Sequence, residues 1–172
     1  NLETDSQGNF YFIKGGNLRD AKVPNHGTVM RVSPDGDKLE IVATGHRAPN
    51  GLGIGPGDEI TSSDNEGNWV PTSRINWVRP GGFYGHVYTA HTEEPPTQYD
   101  PPLCWLPHQI DNSSGGQVWV TSDEWGPLKG QLLHTSYGKC RLFLVFHEEV
   151  MGVQQGGVVQ FPLSFESGIM RG

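Results

Sequence analysis

The sequence has few charged and few hydrophobic residues for a helical protein. Of its 172 residues, 18% are charged and 34% are hydrophobic, whereas 24 are glycine and 13 are proline. Glycine adds backbone freedom that folding must remove, and proline does not fit a helix interior, so a mostly helical chain is excluded. Hydrophobic residues follow no helical period, and residues 146–153 are the only stretch in which a single helical turn is expected. The 5 Trp, 5 Tyr and 7 Phe supply the large apolar side chains that a disordered chain would lack.

Long hydrophobic runs, basic clusters and cysteines are also scarce. No apolar stretch reaches the roughly 18 residues that a membrane span requires, so we expect no membrane-spanning segment. The net charge is −7 and no run of Lys or Arg occurs, which argues against a nucleic-acid partner. The two cysteines, Cys104 and Cys140, are compatible either with a disulfide or with two separate thiols.

Three segments share a pattern in which a turn glycine leads into a run of strand-forming residues. They begin at Gly8, Gly57 and Gly116, which are 49 and 59 residues apart. A repeat of roughly 40–60 residues that contains several strands is typical of β-propeller blades. The sequence therefore predicts an all-β propeller with approximate blades at residues 1–56, 57–115 and 116–172.

Hairpins within these blades fit the same interpretation. Residues 28–32 and 39–43 read as two strands joined by Ser-Pro-Asp-Gly at residues 33–36, a strong turn sequence. Residues 131–134 and 141–146 form a similar pair. Closed propellers have about four to eight blades, so three blades would leave sheet edges open. We therefore expect Asn1 and Gly172 to lie in or beside strands without partners, and the chain to associate with a second copy or aggregate.

An ordered set of motifs resembles one known family. Residues 45–52 read Gly-His-Arg-Ala-Pro-Asn-Gly-Leu, residues 74–76 Arg-Ile-Asn, and residues 80–85 Pro-Gly-Gly-Phe-Tyr-Gly. This set resembles the glucose/sorbosone dehydrogenase family of six-bladed propellers, which use pyrroloquinoline quinone and calcium. The whole chain is most similar to large exported propeller proteins of planctomycete type. The resemblance implies about three blades of a six-bladed ring, a periplasmic or secreted location, and oxidation of a sugar or other polyol.

The resemblance also implies roles for particular residues. Arg47 would face the carboxylates of the quinone, which suits a planar guanidinium, and Asn65 would offer its amide to the same cofactor. Asp64, Glu66 and Gly67 would hold calcium, a cation that prefers oxygen ligands. A histidine removes the substrate hydroxyl proton in these enzymes, and His26 is the candidate here.

Two other functions remain open at this stage. The acidic loop at residues 64–67 is also compatible with a calcium-dependent lactonase or other hydrolase, in which the metal polarises the lactone carbonyl. Ala48 replaces the Asn of the family motif, and blades are missing, so a non-catalytic carbohydrate-binding or interaction module is a further alternative. The five tryptophans could then form a sugar-stacking surface, whereas the preferred interpretation is that most of them pack between blades.

Overall fold

The computed structural model describes residues 2–16 and 23–170, and within these ranges the fold is almost entirely β. Two short 3₁₀ helices cover Val87–Thr89 and Asp123–Leu128. The strands are β1 (Leu2–Thr4), β2 (Phe10–Lys14), β3 (Thr28–Val32), β4 (Leu39–Thr44), β5 (Gly51–Ile54), β6 (Ile60–Asp64), β7 (Ser73–Val78), β8 (Gly82–Phe83), β9 (Cys104–Leu106), β10 (Ser114–Trp119), β11 (Leu132–Ser136), β12 (Arg141–Val150) and β13 (Val153–Gln160). Asn1 and Gly172, whose position was predicted from the sequence, lie outside the described residues.

The strands form three sheets that follow one another along the chain. Each is an antiparallel meander of four strands, in the orders β1-β2-β3-β4, β5-β6-β7-β9 and β10-β11-β12-β13. The short β8 adds to the first sheet by pairing in parallel with β4. The first strands of the sheets lie side by side, since β5 contacts both β1 and β10. Three four-stranded sheets with their first strands together are three blades of a partial propeller, which confirms the predicted fold class.

The sheets divide the chain at other points than the predicted blades. The second sheet begins at Gly51, and Gly57 lies in the turn between its first two strands. Gly116 lies inside β10, the first strand of its sheet, whereas the segments after Gly8 and Gly57 enter second strands. The repeated glycine pattern therefore marks strands that hold different positions in their sheets. Turn glycines also precede other strands within the sheets, such as Gly36 before β4 and Gly152 before β13, so the glycine pattern identifies hairpins and not blade boundaries.

The hydrophobic core lies between neighbouring sheets. One cluster joins the first and second sheets and includes Tyr11, Val29, Val42, Ala43, Leu52, Ile60, Val78 and Tyr84. A second joins the second and third sheets and includes Ile75, Leu103, Cys104, Leu106, Trp119, Leu132 and Val145. Because each buried aliphatic side chain contributes about 1.5–3 kcal/mol, contact between blades is the main source of stability in this fold.

The structure also settles features that the sequence left open. Cys104 and Cys140 are free thiols, and burial raises the pKa of Cys104 to about 12. Residues 146–153 form the end of β12, a tight turn and the start of β13, so the helical turn expected there is wrong. In the two described ranges, no helix has the length and apolar character needed to cross a membrane.

Candidate functional site

The motif residues meet at one end of the second sheet. Arg47 lies in the connection from β4 to β5, and Asp64 is the last residue of β6. Asp64 pairs in register with Arg74 of β7, and their side chains form an ion pair of 3.2 Å between Nη2 and Oδ2. Both side chains are almost completely buried. Every residue of β6 is buried, because this strand is enclosed by the neighbouring sheets.

Asp64 fixes the backbone of the Arg47 loop. Its Oδ2 accepts the N–H of Arg47, and its Oδ1 accepts the N–H groups of Ala48 and Asn65, each at 2.8 Å. With Arg74 as a fourth donor, these bonds use the roughly four acceptor positions of a carboxylate. The geometry thus gives Asp64 an anchoring role. Its role as a calcium ligand stays a prediction, and the arrangement leaves no free lone pair to support it.

Arg74 is the buried counter-charge of this anchor. Burial lowers its pKa, and the nearby Asp64 charge opposes that effect. Within the described part of the chain, its Nε and Nη1 have no hydrogen-bond partner. Removing Asp64 would therefore leave an uncompensated charge in the interior. The sequence reasoning used Arg74 only as part of the Arg-Ile-Asn motif, and its place near the start of a strand of mixed polarity gave no sign of a buried pair.

Arg47 presents a partly free guanidinium above this anchor. Its side chain is 30% exposed, and among the described residues its guanidinium makes one long contact, 3.4 Å from Nη1 to Oε1 of Glu66. The other oxygen of Glu66 lies 3.5 Å from Nε2 of His108, a residue that sequence reasoning did not select. A guanidinium has five N–H donors, and within residues 2–16 and 23–170 most of those of Arg47 have no partner and could serve an anionic ligand.

Asn65 lies where the first strands of the second and third sheets meet. Its Oδ1 accepts the N–H of Ser114 at 3.4 Å, and Asn50 donates from Nδ2 to the Ser114 carbonyl at 3.1 Å. A third contact at this junction joins the Ser63 hydroxyl to the Gly115 carbonyl at 3.0 Å. Its amide nitrogen makes no hydrogen bond to the residues that the structure describes, so this group could donate to a ligand.

The predicted histidine, His26, is half-buried in the turn before β3. Its carbonyl accepts a hydrogen bond of 2.6 Å from Nε2 of His91. No hydrogen bond in residues 2–16 and 23–170 joins His26 to Arg47. The next residue, Gly27, does contact the motif, since its carbonyl accepts the N–H of His46 at 3.0 Å. His26 therefore precedes a residue that contacts the motif, and its role as proton acceptor stays a prediction.

Two other histidines, one inside the motif and one beside it, were not selected as site residues from the sequence. His46 is completely buried against the Ser62 hydroxyl, and burial lowers its pKa to about 4. His86 is 7% exposed and bonds through Nε2 to the Gly16 carbonyl at 3.2 Å, and burial lowers its pKa as well. A Cβ on Gly67 would lie 3.3 Å from Nδ1 of His86 and 3.8 Å from Cβ of Arg47. His86 is thus the histidine that the fold places beside the Arg47 loop.

The donors at this site suit a quinone carboxylate better than a calcium ion. Arg47 and the Asn65 amide provide a cation and N–H donors. The Glu66 carboxylate already faces Arg47 and His108, and the Gly67 carbonyl accepts the N–H of Val70 at 3.4 Å. Across the described ranges, no three His, Cys, Asp or Glu side chains converge as a metal-binding group. The structure therefore supports the quinone half of the predicted cofactor pair more than the metal half.

The fold matches solved propeller enzymes. A putative oxidoreductase (glucose dehydrogenase) from Thermus thermophilus superposes with a TM-score of 0.72 at 19% identity, over 99% of this chain and 54% of that one. The soluble aldose sugar dehydrogenase of Escherichia coli in its apo form gives 0.63 at 15% identity, over 91% and 52%. The PQQ-bound aldose sugar dehydrogenase of Streptomyces coelicolor gives 0.69 at 18% identity, over 99% and 50%.

These likenesses show the fold, and they agree with the resemblance drawn from the motifs. The chain spans about half the length of each of these structural neighbours. No family model matches the sequence, and no curated protein matches it either. The chain therefore has the fold of part of a sugar-dehydrogenase-type β-propeller.

Proposed function

We propose that this chain supplies part of the cofactor-binding face of a propeller that oxidises a sugar or other polyol with a quinone. The observation that carries the proposal is the Arg47 guanidinium, which is partly free while Asp64 fixes its backbone with a 2.8 Å hydrogen bond. The solved neighbours, one of them PQQ-bound, support the same chemistry. The proposed location, periplasmic or secreted, rests on the sequence resemblance.

Each residue of the site has a limited task in this proposal. A bound quinone would accept the two electrons that leave the substrate carbinol carbon. Arg47 would bind a quinone carboxylate through paired N–H donors, and the Asn65 amide would add one more donor. His26 is the proton acceptor proposed from the sequence, and His86, which lies against Gly67, is the alternative that the structure adds.

Ala48 makes Arg47 more important here than in the family motif. Its backbone N–H is used by Asp64, and its methyl group offers no hydrogen bond to a cofactor. Calcium remains part of the proposal only through the backbone carbonyls of Glu66 and Gly67, because the Asp64 carboxylate is fully used by four donors.

The test is quinone binding by the intact chain, followed by dye reduction with a panel of sugars. Arg47→Lys keeps the charge but loses the paired donors, so quinone binding should weaken by about tenfold or more. Arg141→Lys is the matched control, because Arg141 lies in β12 of the third sheet and contacts the carbonyls of Gln109 and Ile110 in the connection from β9 to β10. Equal affinity in both variants, or no quinone binding by the chain, would contradict the proposal.

The same assays separate the alternative functions. Lactone opening that needs calcium and not quinone would favour the calcium-dependent hydrolase. Sugar binding without any turnover, with or without quinone, would favour the non-catalytic carbohydrate-binding module.

A further inference from the structure

The end of the second sheet opposite to Arg47 carries a half-buried aromatic side chain, Trp77, and the exposed Arg79. In the register of this sheet Asp64 pairs with Arg74 at one end, whereas Ile60 pairs with Val78 at the other. Trp77 and Arg79 therefore lie at the end far from the Arg47 loop. This opposite end has no role in the function proposed above.

An elongated hairpin reaches over that end. β12 pairs with β11 only as far as Val145, opposite Leu132, and then continues with β13 for five more residues to Val150. The hairpin is fixed to the second sheet by the N–H of Gly156, which donates to the Leu103 carbonyl at 2.9 Å. A Cβ at Gly156 would lie 2.2 Å from the Phe146 carbonyl oxygen and 3.0 Å from Leu103 Cγ, so this approach requires glycine.

The hairpin and the second sheet enclose a cleft of about 260 Å³, which we call the hairpin cleft. Its lining includes Trp77, Arg79, Pro101, Glu149 and Gln154. Trp77 and Arg79 also line a hollow of about 540 Å³ on their other side, with Arg31, Glu40 and Glu59, which we call the rim groove. Trp77 and Arg79 belong to the lining of both hollows, which therefore adjoin at these two residues.

Trp77 is held as a fixed aromatic surface at this boundary. Its ring centroid lies 6.3 Å from that of Trp119 and 5.0 Å from that of His147. His147 also contacts Trp119, at 5.5 Å, so the three rings support one another. An indole fixed in this way binds the C–H face of a sugar ring with little loss of side-chain entropy.

The polar groups of the cleft include one with an unfilled bonding position. Gln154 donates from Nε2 to Glu149 at 3.3 Å, and its Oε1 is buried without a donor among the described residues. A buried acceptor of this kind normally has a partner. This oxygen is out of reach of solvent, so a sugar hydroxyl donates to it only when the Gln154 side chain turns from Glu149 toward the cleft.

The charges of the cleft favour a neutral ligand. Arg79 is neutralised by an ion pair with Asp100, and Glu149 adds a negative charge. A phosphate or an acidic sugar would meet the Glu149 carboxylate. Planar Arg, Glu and Gln side chains around an aromatic ring are suited to adjacent hydroxyl groups, which serve as both donors and acceptors.

We propose that the hairpin cleft and the rim groove together bind a neutral oligosaccharide, with one sugar ring against Trp77 and its hydroxyls on Gln154 and Glu149. This binding site lies at the opposite end of the sheet from Arg47, and it does not depend on quinone chemistry.

The experiment titrates the intact chain with maltotriose, cellotriose and xylotriose and follows tryptophan fluorescence and saturation-transfer NMR. At least one trisaccharide should bind, and Gln154→Ala should weaken that binding about tenfold. Gln155→Ala is the matched control, because Gln155 makes the equivalent bond to Glu148 at the neighbouring position of the same hairpin. This variant should bind like the parent chain.

Arg47→Ala locates the site, because sugar bound in the hairpin cleft should keep its affinity in this variant. Absence of binding by all three sugars, equal losses in Gln154→Ala and Gln155→Ala, or loss of binding in Arg47→Ala would each overturn the inference. Failure of quinone binding in the Arg47→Lys experiment would leave this result unaffected, so the two proposals are tested separately.

Discussion

Replacing Asp64 with Asn should destabilise the protein far more than the loss of a surface ion pair. The carboxylate is completely buried and accepts four hydrogen bonds, three from backbone N–H groups and one from Arg74. An amide group turns one acceptor oxygen into a donor that faces other donors. It also leaves Arg74, itself fully buried, without its counter-charge.

Breaking a buried ion pair by removing one partner typically costs about 3–5 kcal/mol. A domain of ordinary stability has about 5–15 kcal/mol in total, so Asp64→Asn should remove a large share of it. Glu40→Gln is the control, since Glu40 pairs with Arg31 at 2.5 Å but on the surface, where such pairs contribute less than about 1 kcal/mol.

Urea unfolding followed by circular dichroism measures both variants against the parent chain. A double variant, Asp64→Asn with Arg74→Met, should be less destabilised than the sum of the two single changes, because neither charge is then left unpaired. If Asp64→Asn shifted the free energy of unfolding by no more than Glu40→Gln does, the assignment of Asp64 as the buried anchor would be refuted.

Three further outcomes follow from other parts of the structure. Burial lowers the pKa of His46 from 6.5 to about 4, so between these pH values the unfolded chain binds more protons than the folded chain. The free energy of unfolding should therefore fall by about 3 kcal/mol as the pH drops through this range. The urea midpoint measured at several pH values should show this fall, and His46→Gln should make the pH dependence flatter. A thiol reagent should label Cys140 in the folded chain and Cys104 only in denaturant, because Cys104 is buried; rapid labelling of both thiols in the folded chain would contradict this. The exposed Leu163 and Phe165 line an apolar hollow of about 500 Å³ on the third sheet, so sedimentation should show self-association of the chain. The association should be weaker when both residues are changed to Glu, and a parent chain that stays monomeric at all concentrations would refute this prediction.

The sequence predicted the class of fold because its local signals agree with one another. The Ser-Pro-Asp-Gly turn joins β3 to β4 as expected, with Gly36 at a φ of 82° and its N–H bonded to the Ser33 carbonyl at 2.9 Å. Proline and glycine act through the local backbone, so such a turn is readable without knowledge of the fold. The same locality explains why the equivalence of the segments at Gly57 and Gly116 was misjudged, since neither segment shows which strand of a sheet it enters.

The candidate site was only partly predictable, because it depends on register. Arg47 and Asn65 follow from the motif resemblance, whereas the ion pair between Asp64 and Arg74 appears only once β6 and β7 are aligned. A shift of one residue would direct these side chains to opposite faces. His86 was missed for a similar reason, since its hydrogen bond to Gly16 joins positions 70 residues apart in the chain.

The site separates residues that hold the loop from residues that remain free to bind. Asp64 and Arg74 are buried and linked to each other, whereas Arg47 is partly exposed and holds one long contact with Glu66. A change in the buried pair therefore acts on stability first and on binding only through the position of the loop. A change in Arg47 removes donors without leaving a buried charge, so its effect should appear in ligand affinity and hardly in the urea midpoint. This contrast distinguishes a loop built to present Arg47 from one in which Arg47 only stabilises the turn, because a structural arginine would shift both measurements together.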